Sequence, residues 1–342
     1  MSKNLQEKLF ELKKRNAVIT GLGSYAPERI IPNSYFNEIL GEDVDTWLRE
    51  NLSIRERRWC KENESTSDLC VKAAKIALQN ANLQPEQINL IIVATDTPDY
   101  ISPSTASVVQ YKLGAVNAGT FDINTACAGF VTALDVASKF IISDDRYKNI
   151  LVIGAYAMSK YLDTSDKKTV TLFADGAGAV VLSAKENTNR GILYSELISE
   201  GQYHDWMGIY AGGTYKPITE EVIKNRDHYL KFVKKFPKEI NPQKWTKMIK
   251  NICEYFNITP NEIDFYLFTQ ININSIKETL EQLSVPFEKT HTIMDRYAYT
   301  GSACIPIALY EVYQLNKIKK NDLIVFVGSG GGLAFASAML RF

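Results

Sequence analysis

The chain has 342 residues, 45% of them hydrophobic and 23% charged, with 39 basic and 39 acidic side chains. This length allows one large core or two similar halves, and the balanced charge gives no reason to expect nucleic acid or an anionic membrane as a partner. The five cysteines form no Cys-x-x-Cys pair, and there are three histidines. We therefore expect no metal site, and the cysteine usage favours a reducing, cytoplasmic setting.

The N-terminal segment, MSKNLQEKLFELKKRN, is polar and charged throughout. It lacks the apolar core of a secretory signal, and no apolar run further along approaches the length of a membrane-spanning helix. The sequence therefore predicts a chain without a signal peptide or a membrane span.

Three segments in the first part of the chain have clear local signals. NLQPEQINLIIVAT (82–95) predicts a helix end, a turn containing proline and a buried strand. FDINTACAGF (121–130) begins with a β-prone stretch and is followed by VTALDVASKFI (131–141), which predicts a helix. KNILVIGA (148–155) predicts a continuous apolar strand. Cys127 is therefore expected at or near a strand-to-helix junction.

The middle of the chain, residues 185–255, is richer in Lys, Asn and Tyr, and its stretches KENTNRG and AGGTYKP predict surface loops. FVKKFPKEINPQKWTKMIKNICEYF (232–256) has apolar residues at helical spacing with lysines between them. A solvated amphipathic helix is the simpler interpretation, and a basic face that docks an acidic carrier protein is the alternative.

The three early signals recur in the same order near the C-terminus. The matching segments are NITPNEIDFYLFTQ (257–270), SACIPIALYEV (302–312), which resembles TACAGFVTAL (125–134), and NDLIVFVGS (321–329). Three matches in register predict two homologous strand–helix–strand halves around sheets buried on both faces. We therefore divide the chain into an N-terminal half (16–184), a variable insert with a connecting helix (185–255) and a C-terminal half (256–342).

The position of Cys127 suggests a nucleophile, although a buried structural cysteine is the common alternative. A thiolate at a helix N-terminus is stabilised by the helix dipole and by unpaired backbone N–H groups, which lower its pKa. The same N–H groups can stabilise the oxyanion of a tetrahedral intermediate. The small neighbours Ala126, Ala128 and Gly129 leave room for a substrate carbonyl.

The glycine run in VGSGGGLAFAS (327–337) offers a second backbone N–H, assigned here to Gly332, or else forms a tight turn without a ligand. It lacks the G-x-G-x-x-G spacing of a dinucleotide site. Cys304 is the counterpart of Cys127 in the second half, but its segment is more apolar and it is followed by Ile305-Pro306. We interpret Cys304 as structural.

Four segments together resemble the β-ketoacyl-ACP synthase III family of the thiolase-like superfamily, where ACP is acyl carrier protein. They are TWLRENLSIRERR (46–58), DINTACAGF (122–130), FADGAGAVVL (173–182) and GGGLAFASAMLRF (330–342). The resemblance runs from about residue 16 to the C-terminus. It implies a duplicated α/β/α/β/α five-layer fold, usually a homodimer, without a cofactor beyond the thioester substrate. It also implies that Cys127 takes an acyl group from CoA or ACP before condensation with malonyl-ACP.

Two positions depart from the family pattern. Its His-Gln-Ala-Asn motif reads TQIN (269–272) here, so Thr269 replaces the histidine, and its Tyr-Gly-Asn-Thr motif reads YAYT (297–300), so Tyr299 replaces the asparagine. Threonine cannot accept a thiol proton near neutral pH as imidazole can, and the two hydroxyls donate hydrogen bonds with a different reach. Acylation of Cys127 is therefore expected to survive better than decarboxylative condensation.

The predicted donor-binding site also combines residues that match the family pattern with residues that depart from it. By the resemblance, Trp47 matches an aromatic residue that stacks on the CoA adenine, and Asn272 and Asn274 belong to the same substrate-binding region. The two arginines that usually flank the aromatic residue are Asn51 and Asn274 here. CoA phosphates would lose charged partners, which favours an ACP-borne or small thioester donor.

Three functional hypotheses follow. The first is an acyltransferase of a specialised lipid, polyketide or secondary-metabolite pathway that uses Cys127, Thr269 and Tyr299. The alternatives are a standard initiating synthase of fatty-acid synthesis and a half-active subunit of a hetero-oligomeric ketosynthase. The expected partners are acyl-CoA or ACP and a second copy of the chain, with neither nucleic acid nor a membrane.

Overall fold

The structure is a computed structural model that describes residues 13–342, so most of the segment expected to lack a signal peptide lies outside the described residues. The strands are β1 (Lys13–Tyr25), β2 (Arg29–Pro32), β3 (Glu56–Trp59), β4 (Leu90–Ala94), β5 (Gly119–Ile123), β6 (Asn149–Ala157), β7 (Asp175–Thr188), β8 (Gly191–Ser199), β9 (Met207–Gly208), β10 (Lys231–Phe232), β11 (Phe265–Phe268), β12 (Leu323–Gly330) and β13 (Ala334–Arg341). The α-helices are α1 (Asn33–Leu40), α2 (Asp45–Leu52), α3 (Thr66–Ala81), α4 (Thr105–Leu113), α5 (Gly129–Ser143), α6 (Lys167–Val170), α7 (Glu220–Lys224), α8 (Ile240–Phe256), α9 (Ile273–Gln282), α10 (Met294–Tyr297) and α11 (Cys304–Gln314).

The two mixed sheets have the same pattern of strand pairing. The first has the order β1-β7-β6-β4-β5 and the second has the order β8-β13-β12-β11. In each, the inner pair is parallel (β4 with β6, β11 with β12) and the next two pairs are antiparallel. A single parallel bridge between Tyr266 and Thr290 takes the place of β5 in the second half. The predicted duplication is confirmed.

The duplication extends to the helix ends. Helix α3 ends at Asn82 with φ 54°, and α8 ends at Asn257 with φ 53°. Both residues adopt the left-handed conformation, which asparagine tolerates better than most side chains. A short 3-10 turn beginning at Pro85 or Pro260 then leads into the fully buried β4 or β11. Equivalent local sequences therefore produce equivalent turns.

The elements form the expected five layers. Helices α5 and α11 pack between the two sheets, α3 and α4 cover the outer face of the first sheet, and α8 and α9 cover that of the second. The side chains of β6 show why helices cover both faces of the sheet. Ile150 and Val152 face the central helices, whereas Leu151 and Ile153 face α3. Because side chains alternate and both faces are covered, such strands read as continuous apolar runs.

Helix α5 is the most apolar element at the centre. The segment Ala126–Ser143, with a mean hydropathy of 1.5, is long and apolar enough to cross a membrane by composition, contrary to the expectation that no run approaches that length. However, 61% of its residues are buried inside the protein, as is typical of a core helix packed between sheets. Its apolar character is explained by that packing.

Two strands depart from the predicted segment boundaries. Strand β7 continues past residue 184, and β8 lies inside the predicted insert while forming the edge of the second sheet. The amphipathic helix expected near residues 232–256 is present as α8, with Trp245 and Ile249 buried and Lys247 and Lys250 exposed. Carrier-protein docking on that basic face stays a prediction.

The two halves meet at one close contact. The Ser302 hydroxyl, just before α11, lies 2.9 Å from the Ala94 carbonyl oxygen and 2.8 Å from that of Ala155. Its single proton is shared between a carbonyl at the end of β4 and one near the end of β6. A Cβ placed on Gly154 would lie 2.2 Å from the Ser302 carbonyl oxygen, so glycine is needed for this approach.

We expect Gly154→Ala to lower the free energy of unfolding by about 3 kcal/mol, because the added methyl group forces the two halves apart. Urea denaturation followed by circular dichroism measures the change. Gly201→Ala is the matched control, since a Cβ there meets no atom within 4 Å. Equal stabilities for the two variants would contradict this account of how the halves dock.

Candidate active site

Cys127 lies in a tight turn between β5 and α5, as predicted. Its side chain is only 3% exposed. The preceding Ala126 has a positive φ of 45°, which is unusual for a residue with a side chain. The N–H groups of Ala128 and Gly129 donate to the carbonyls of Thr125 (3.1 Å) and Ala126 (2.9 Å). The turn therefore holds the thiol at the start of the central helix.

The predicted glycine run begins at the end of β12 and passes against this turn. A Cβ placed on Gly330 would lie 2.6 Å from the Cys127 backbone nitrogen, so the close approach requires glycine. Gly332 has a φ of 134°, in the region that favours glycine. Leu333 exchanges two backbone hydrogen bonds of 2.9 and 3.0 Å with Glu200, which anchor the far side of the loop. The oxyanion roles of the Cys127 and Gly332 N–H groups stay predictions.

The Tyr299 side chain contacts the thiol. Its buried hydroxyl acts on the Cys127 thiol and lowers the pKa of that thiol, as a hydrogen-bond donor does. The Tyr299 N–H donates to the Leu172 carbonyl at 3.0 Å, and its ring packs 5.5 Å from that of Phe173 and 6.4 Å from that of Tyr156. These contacts fix the ring above the nucleophile.

Thr269 is equally buried, but its hydroxyl bonds elsewhere. The Oγ1 atom accepts the Ser329 N–H at 2.8 Å, and the Thr269 N–H donates to the Val327 carbonyl at 3.0 Å. The side chain therefore extends the pairing of β11 with β12 by one step. A catalytic role for Thr269 stays a prediction, and this structural bond already occupies its hydroxyl.

Cys304 occupies the equivalent place in the second half. Its sulfur is completely buried and accepts the Gln270 N–H at 3.4 Å. Burial raises the pKa of Cys304 to about 12. These features are consistent with its interpretation as a structural residue.

Burial also decides the protonation of the nucleophile. Desolvation raises the pKa of Cys127 well above its ordinary value, the negative charge of Asp96 raises it further, and the Tyr299 hydrogen bond lowers it. The net pKa is therefore raised, although a backbone hydrogen bond at Cys127 lowers it, and the contribution of the helix end stays a prediction. The free-energy cost of removing a thiolate from water exceeds the stabilisation that one hydrogen bond and a helix N-terminus provide.

Asp96 is a residue of the site that the sequence analysis missed. It follows the buried strand β4 by two residues, and a charged residue at such a strand end is the signal that could have marked it. The side chain is partly buried, and its Oδ1 atom is fully buried without a hydrogen-bond partner among the described residues. Desolvation raises the pKa of Asp96 to about 6.

The three predicted donor-binding residues meet where α2 adjoins α9. The Asn274 side chain donates to the Asn51 carbonyl at 3.2 Å, and the Asn51 side chain donates to the Trp47 carbonyl at 3.0 Å. Trp47 is 55% exposed, as a stacking platform would be. The Asn272 side chain instead accepts the Asn274 N–H at 2.9 Å and caps α9.

A cavity of about 650 Å³ opens beside Trp47. Leu172 lines it, and because the Leu172 carbonyl accepts the Tyr299 N–H, the cavity and the thiol site share this segment. The expected loss of charged partners for CoA phosphates at Asn51 and Asn274 stays a prediction. Asp43 also lines the cavity, as do four lysines. They are Lys167, Lys168, Lys234 and Lys235.

Histidine does not contact the thiol within residues 13–342. His291 bonds to Glu311 at 3.0 Å and lies 3.4 Å from the Lys317 ammonium, and His204 is exposed. His228 stacks against Tyr229. The same range contains no group of three His, Cys, Asp or Glu side chains placed to hold a metal ion.

Comparison with known proteins identifies relatives over almost the whole chain. Residues 121–201 match the family model described as 3-oxoacyl-[acyl-carrier-protein (ACP)] synthase III, and residues 253–342 match the model of its C-terminal part. The beta-ketoacyl-[acyl-carrier-protein] synthase III of Clostridioides difficile (strain 630) is 38% identical over 95% of this chain and 98% of its own. That of Ehrlichia canis (strain Jake) is 37% identical over 96% and 99%.

A solved structure agrees with this relationship. The crystal structure of 3-oxoacyl-[acyl-carrier-protein] synthase III from Aquifex aeolicus VF5 superposes with a TM-score of 0.85 at 34% identity. The match covers 95% of this chain and all of the other. The thiolase-like α/β fold expected from the sequence is confirmed.

We expect Asp96→Asn to raise the free energy of unfolding by up to about 3 kcal/mol above pH 6, since the folded state holds this carboxylate at an unfavourable pKa. The folded pKa lies above the unfolded one, so wild-type stability falls as the pH rises from about 4 to 6. The gain should therefore vanish near pH 4. Urea denaturation across this pH range measures it.

Asp122→Asn is a control that should change the folding stability in the opposite direction. Its carboxylate accepts the Thr105 and Ala106 N–H groups at 2.6 and 2.8 Å, so the amide should lower stability. A destabilised Asp96→Asn variant would contradict the assigned pKa direction.

Proposed function

Because the chain belongs to the 3-oxoacyl-[acyl-carrier-protein] synthase III family, we propose that it condenses an acyl group carried on Cys127 with malonyl-ACP. The acyl group comes from CoA or ACP, and the product is a β-ketoacyl-ACP. The names of the relatives, at 37–38% identity over nearly the full chain, favour this standard synthase over the specialised pathway that the sequence analysis put first. The observation that carries the proposal is a buried thiol in the turn before α5, bonded to Tyr299 and adjoining a lysine-rich cavity.

The first half of the reaction is a transthioesterification. The Cys127 sulfur attacks the donor carbonyl carbon, a tetrahedral intermediate forms, and the donor thiolate departs. The backbone N–H groups of Cys127 and Gly332 are our candidates for stabilising its oxyanion, supported by the close approach of Gly330 to the Cys127 turn. The resulting acyl-enzyme is neutral at sulfur, so burial no longer opposes it.

The cavity suits a phosphorylated thioester. Trp47 offers an exposed ring for stacking, and the four lining lysines attract phosphate or an acidic carrier protein. Charge on the lysines compensates for the neutral Asn51 and Asn274. Both acyl-CoA and acyl-ACP therefore remain suitable donors.

A second candidate function is acyl transfer to another nucleophile without decarboxylation. Two observations favour it. The Thr269 hydroxyl is engaged with Ser329, and Tyr299 bonds to the sulfur. Neither group replaces the imidazole and carboxamide donors that stabilise an enolate in the family pattern, and losing one such donor typically costs a factor of ~10²–10³ in rate.

We also propose that the chain forms a homodimer. Large, mostly exposed apolar side chains lie on the loop after β4, on α4 and just after α4. They are Tyr100, Ile101, Tyr111 and Val116. Exposed apolar clusters of this kind mark protein interfaces, and a second copy is the usual partner.

Incubation with acetyl-CoA or acetyl-ACP should add one acetyl group to the wild-type chain, detected by intact-mass spectrometry after acid quench. We expect Cys127→Ala to abolish the adduct, because this sulfur is the attacking group. Cys304→Ala is the matched control and should retain it. Failure of every donor to acylate the wild type would exclude the proposed function.

The same reaction with malonyl-ACP separates the two candidates. Release of carbon dioxide with a β-ketoacyl-ACP product supports the condensing synthase. Acylation followed by transfer to a different acceptor, with malonyl-ACP unchanged, supports the second candidate.

Light scattering should give the wild type a mass near twice 38.5 kDa. The double variant Ile101→Lys, Tyr111→Lys should lower it, because charge in a buried interface is unfavourable. Ile218→Lys, at an exposed apolar residue outside the cluster, should leave the mass unchanged. A monomeric wild type would contradict the proposal. Co-purification of the wild type with a different chain would indicate a hetero-oligomer.

A further inference from the structure

Acylation of Cys127 requires a group that takes the thiol proton. The side chains that act most strongly on this thiol are Asp96, Tyr299 and Cys304, and Tyr156, whose pKa burial also raises, interacts with it as well. Burial raises the pKa of Tyr299 well above its ordinary value and that of Cys304 to about 12. Both are therefore fully protonated at neutral pH and cannot accept a proton. The Thr269 hydroxyl is not basic and is already bonded to Ser329.

The backbone places Asp96 at the centre of the site. The Thr95 N–H donates to the Ile123 carbonyl at 3.1 Å, at the end of the strand that leads to the Cys127 turn. On the other side, the Ala157 N–H donates to the Thr97 hydroxyl at 2.9 Å. Asp96 lies between these two anchors, at the carboxyl ends of three adjacent strands, β5, β4 and β6.

Helix α5 packs against the carboxyl end of β4. A Cβ placed on Gly129, two residues after Cys127, would lie 3.1 Å from the Ala94 Cβ. Ala94 is the last residue of β4 and precedes Asp96 by two positions. The nucleophile turn and the carboxylate are therefore held against one another by the packing of a rigid helix on a rigid sheet.

The carboxylate is also unusually free of partners. Asp175, another buried acid, accepts the Cys60 and Ser159 N–H groups at 2.7 and 2.8 Å, so its burial has a structural explanation. The Oδ1 atom of Asp96 has no hydrogen-bond partner among the described residues. An unsatisfied buried oxygen is costly, and such groups in folded proteins call for a functional explanation.

The negative charge of Asp96 acts on three titratable groups from the elements around it. They are Cys127 on the turn before α5, Tyr156 on β6 and Tyr161 in the turn that follows β6. All three have a raised pKa, and the negative charge of Asp96 contributes in each case. The only hydrogen bond that favours its ionised form comes from its own backbone.

We propose that Asp96 is the general base that accepts the Cys127 thiol proton during acylation, in place of the imidazole that this chain lacks at position 269. The inference rests on the proposed function, since it concerns the acylation of the same thiol. It assigns a catalytic role to a residue outside the Cys-His-Asn pattern.

The step is balanced without a further reactant. The S–H bond of Cys127 breaks and the proton passes to Oδ1, directly or through one water molecule. The sulfur bonds to the thioester carbonyl carbon, the bond from that carbon to the donor sulfur breaks, and the departing thiolate takes the proton back from Asp96. The donor leaves as a free thiol, and Asp96 is again a carboxylate.

A carboxylate suits a site with this degree of burial. Proton transfer moves one negative charge from oxygen to sulfur, so the site holds a single charge before and after the step. A neutral base would instead create a buried ion pair, which requires precise compensation. A pKa of about 6 leaves Asp96 ionised at neutral pH yet basic enough to carry a proton in the transition state.

The test compares Asp96→Asn and Asp96→Glu with the wild type by two measurements on the same thiol. Single-turnover acylation by acetyl-CoA, followed by quenched-flow mass spectrometry across pH 5–9, reports proton transfer. Alkylation of Cys127 by iodoacetamide reports the availability of the thiolate. Asp99→Asn is the matched control, because Asp99 lies on the same loop but accepts the Ser67 N–H at 2.9 Å.

We expect Asp96→Asn to slow acylation by a factor of ~10² or more at neutral pH and to remove the change of rate near pH 6. Alkylation should be as fast as in the wild type or faster, because loss of the negative charge favours the thiolate. Asp96→Glu should restore part of the acylation rate. Asp99→Asn should keep the wild-type pH profile.

Three results would overturn the inference. Acylation of Asp96→Asn at the wild-type rate and with the wild-type pH profile would show that no base is lost. Equal losses of acylation and alkylation would show that Asp96 only supports the local structure. A wild type that is alkylated but never acylated would remove the proposed function itself, and with it this step.

Discussion

The site depends on the contact between Ser302 and the first sheet. The hydroxyl of Ser302 lies within hydrogen-bond distance of the carbonyls of Ala94, the last residue of β4, and Ala155, near the end of β6, and Gly154 allows its backbone to approach. This contact seats the start of α11 on the carboxyl edge of the opposite half. Tyr299 lies three residues earlier, so this packing constraint between the duplicated halves also positions Tyr299 relative to Cys127.

Electrostatics within this packing favour neutral groups. Burial outweighs the helix end at Cys127, and the aromatic hydroxyls around it stay protonated. Asp96 is the exception, because it carries the one ionisable charge at the site that changes state near physiological pH. The arrangement lowers the stability of the fold and supplies a proton acceptor, which is a common exchange of stability for function.

Much of the fold was predictable from local signals. The duplicated segments, the turn at Cys127 and the glycine run each follow from residue type and periodicity, and the structure contains them. The outcome at Thr269 was not predictable, because a buried threonine hydroxyl bonds to whichever backbone group lies nearest, here Ser329. The lysines that line the cavity beside Trp47 could not be foreseen for a similar reason, since they come from segments distant in sequence.

The sequence by itself determined the secondary structure of both halves and singled out Cys127 as the candidate nucleophile, because helix caps, apolar runs and small residues act over a few neighbours. Only the tertiary structure decided the protonation of Cys127, the contact with Tyr299 and the importance of Asp96. Those properties depend on how completely water is excluded and on which distant side chains share the space that remains. Desolvation is a collective effect of the packed halves, and no single segment of the chain encodes it.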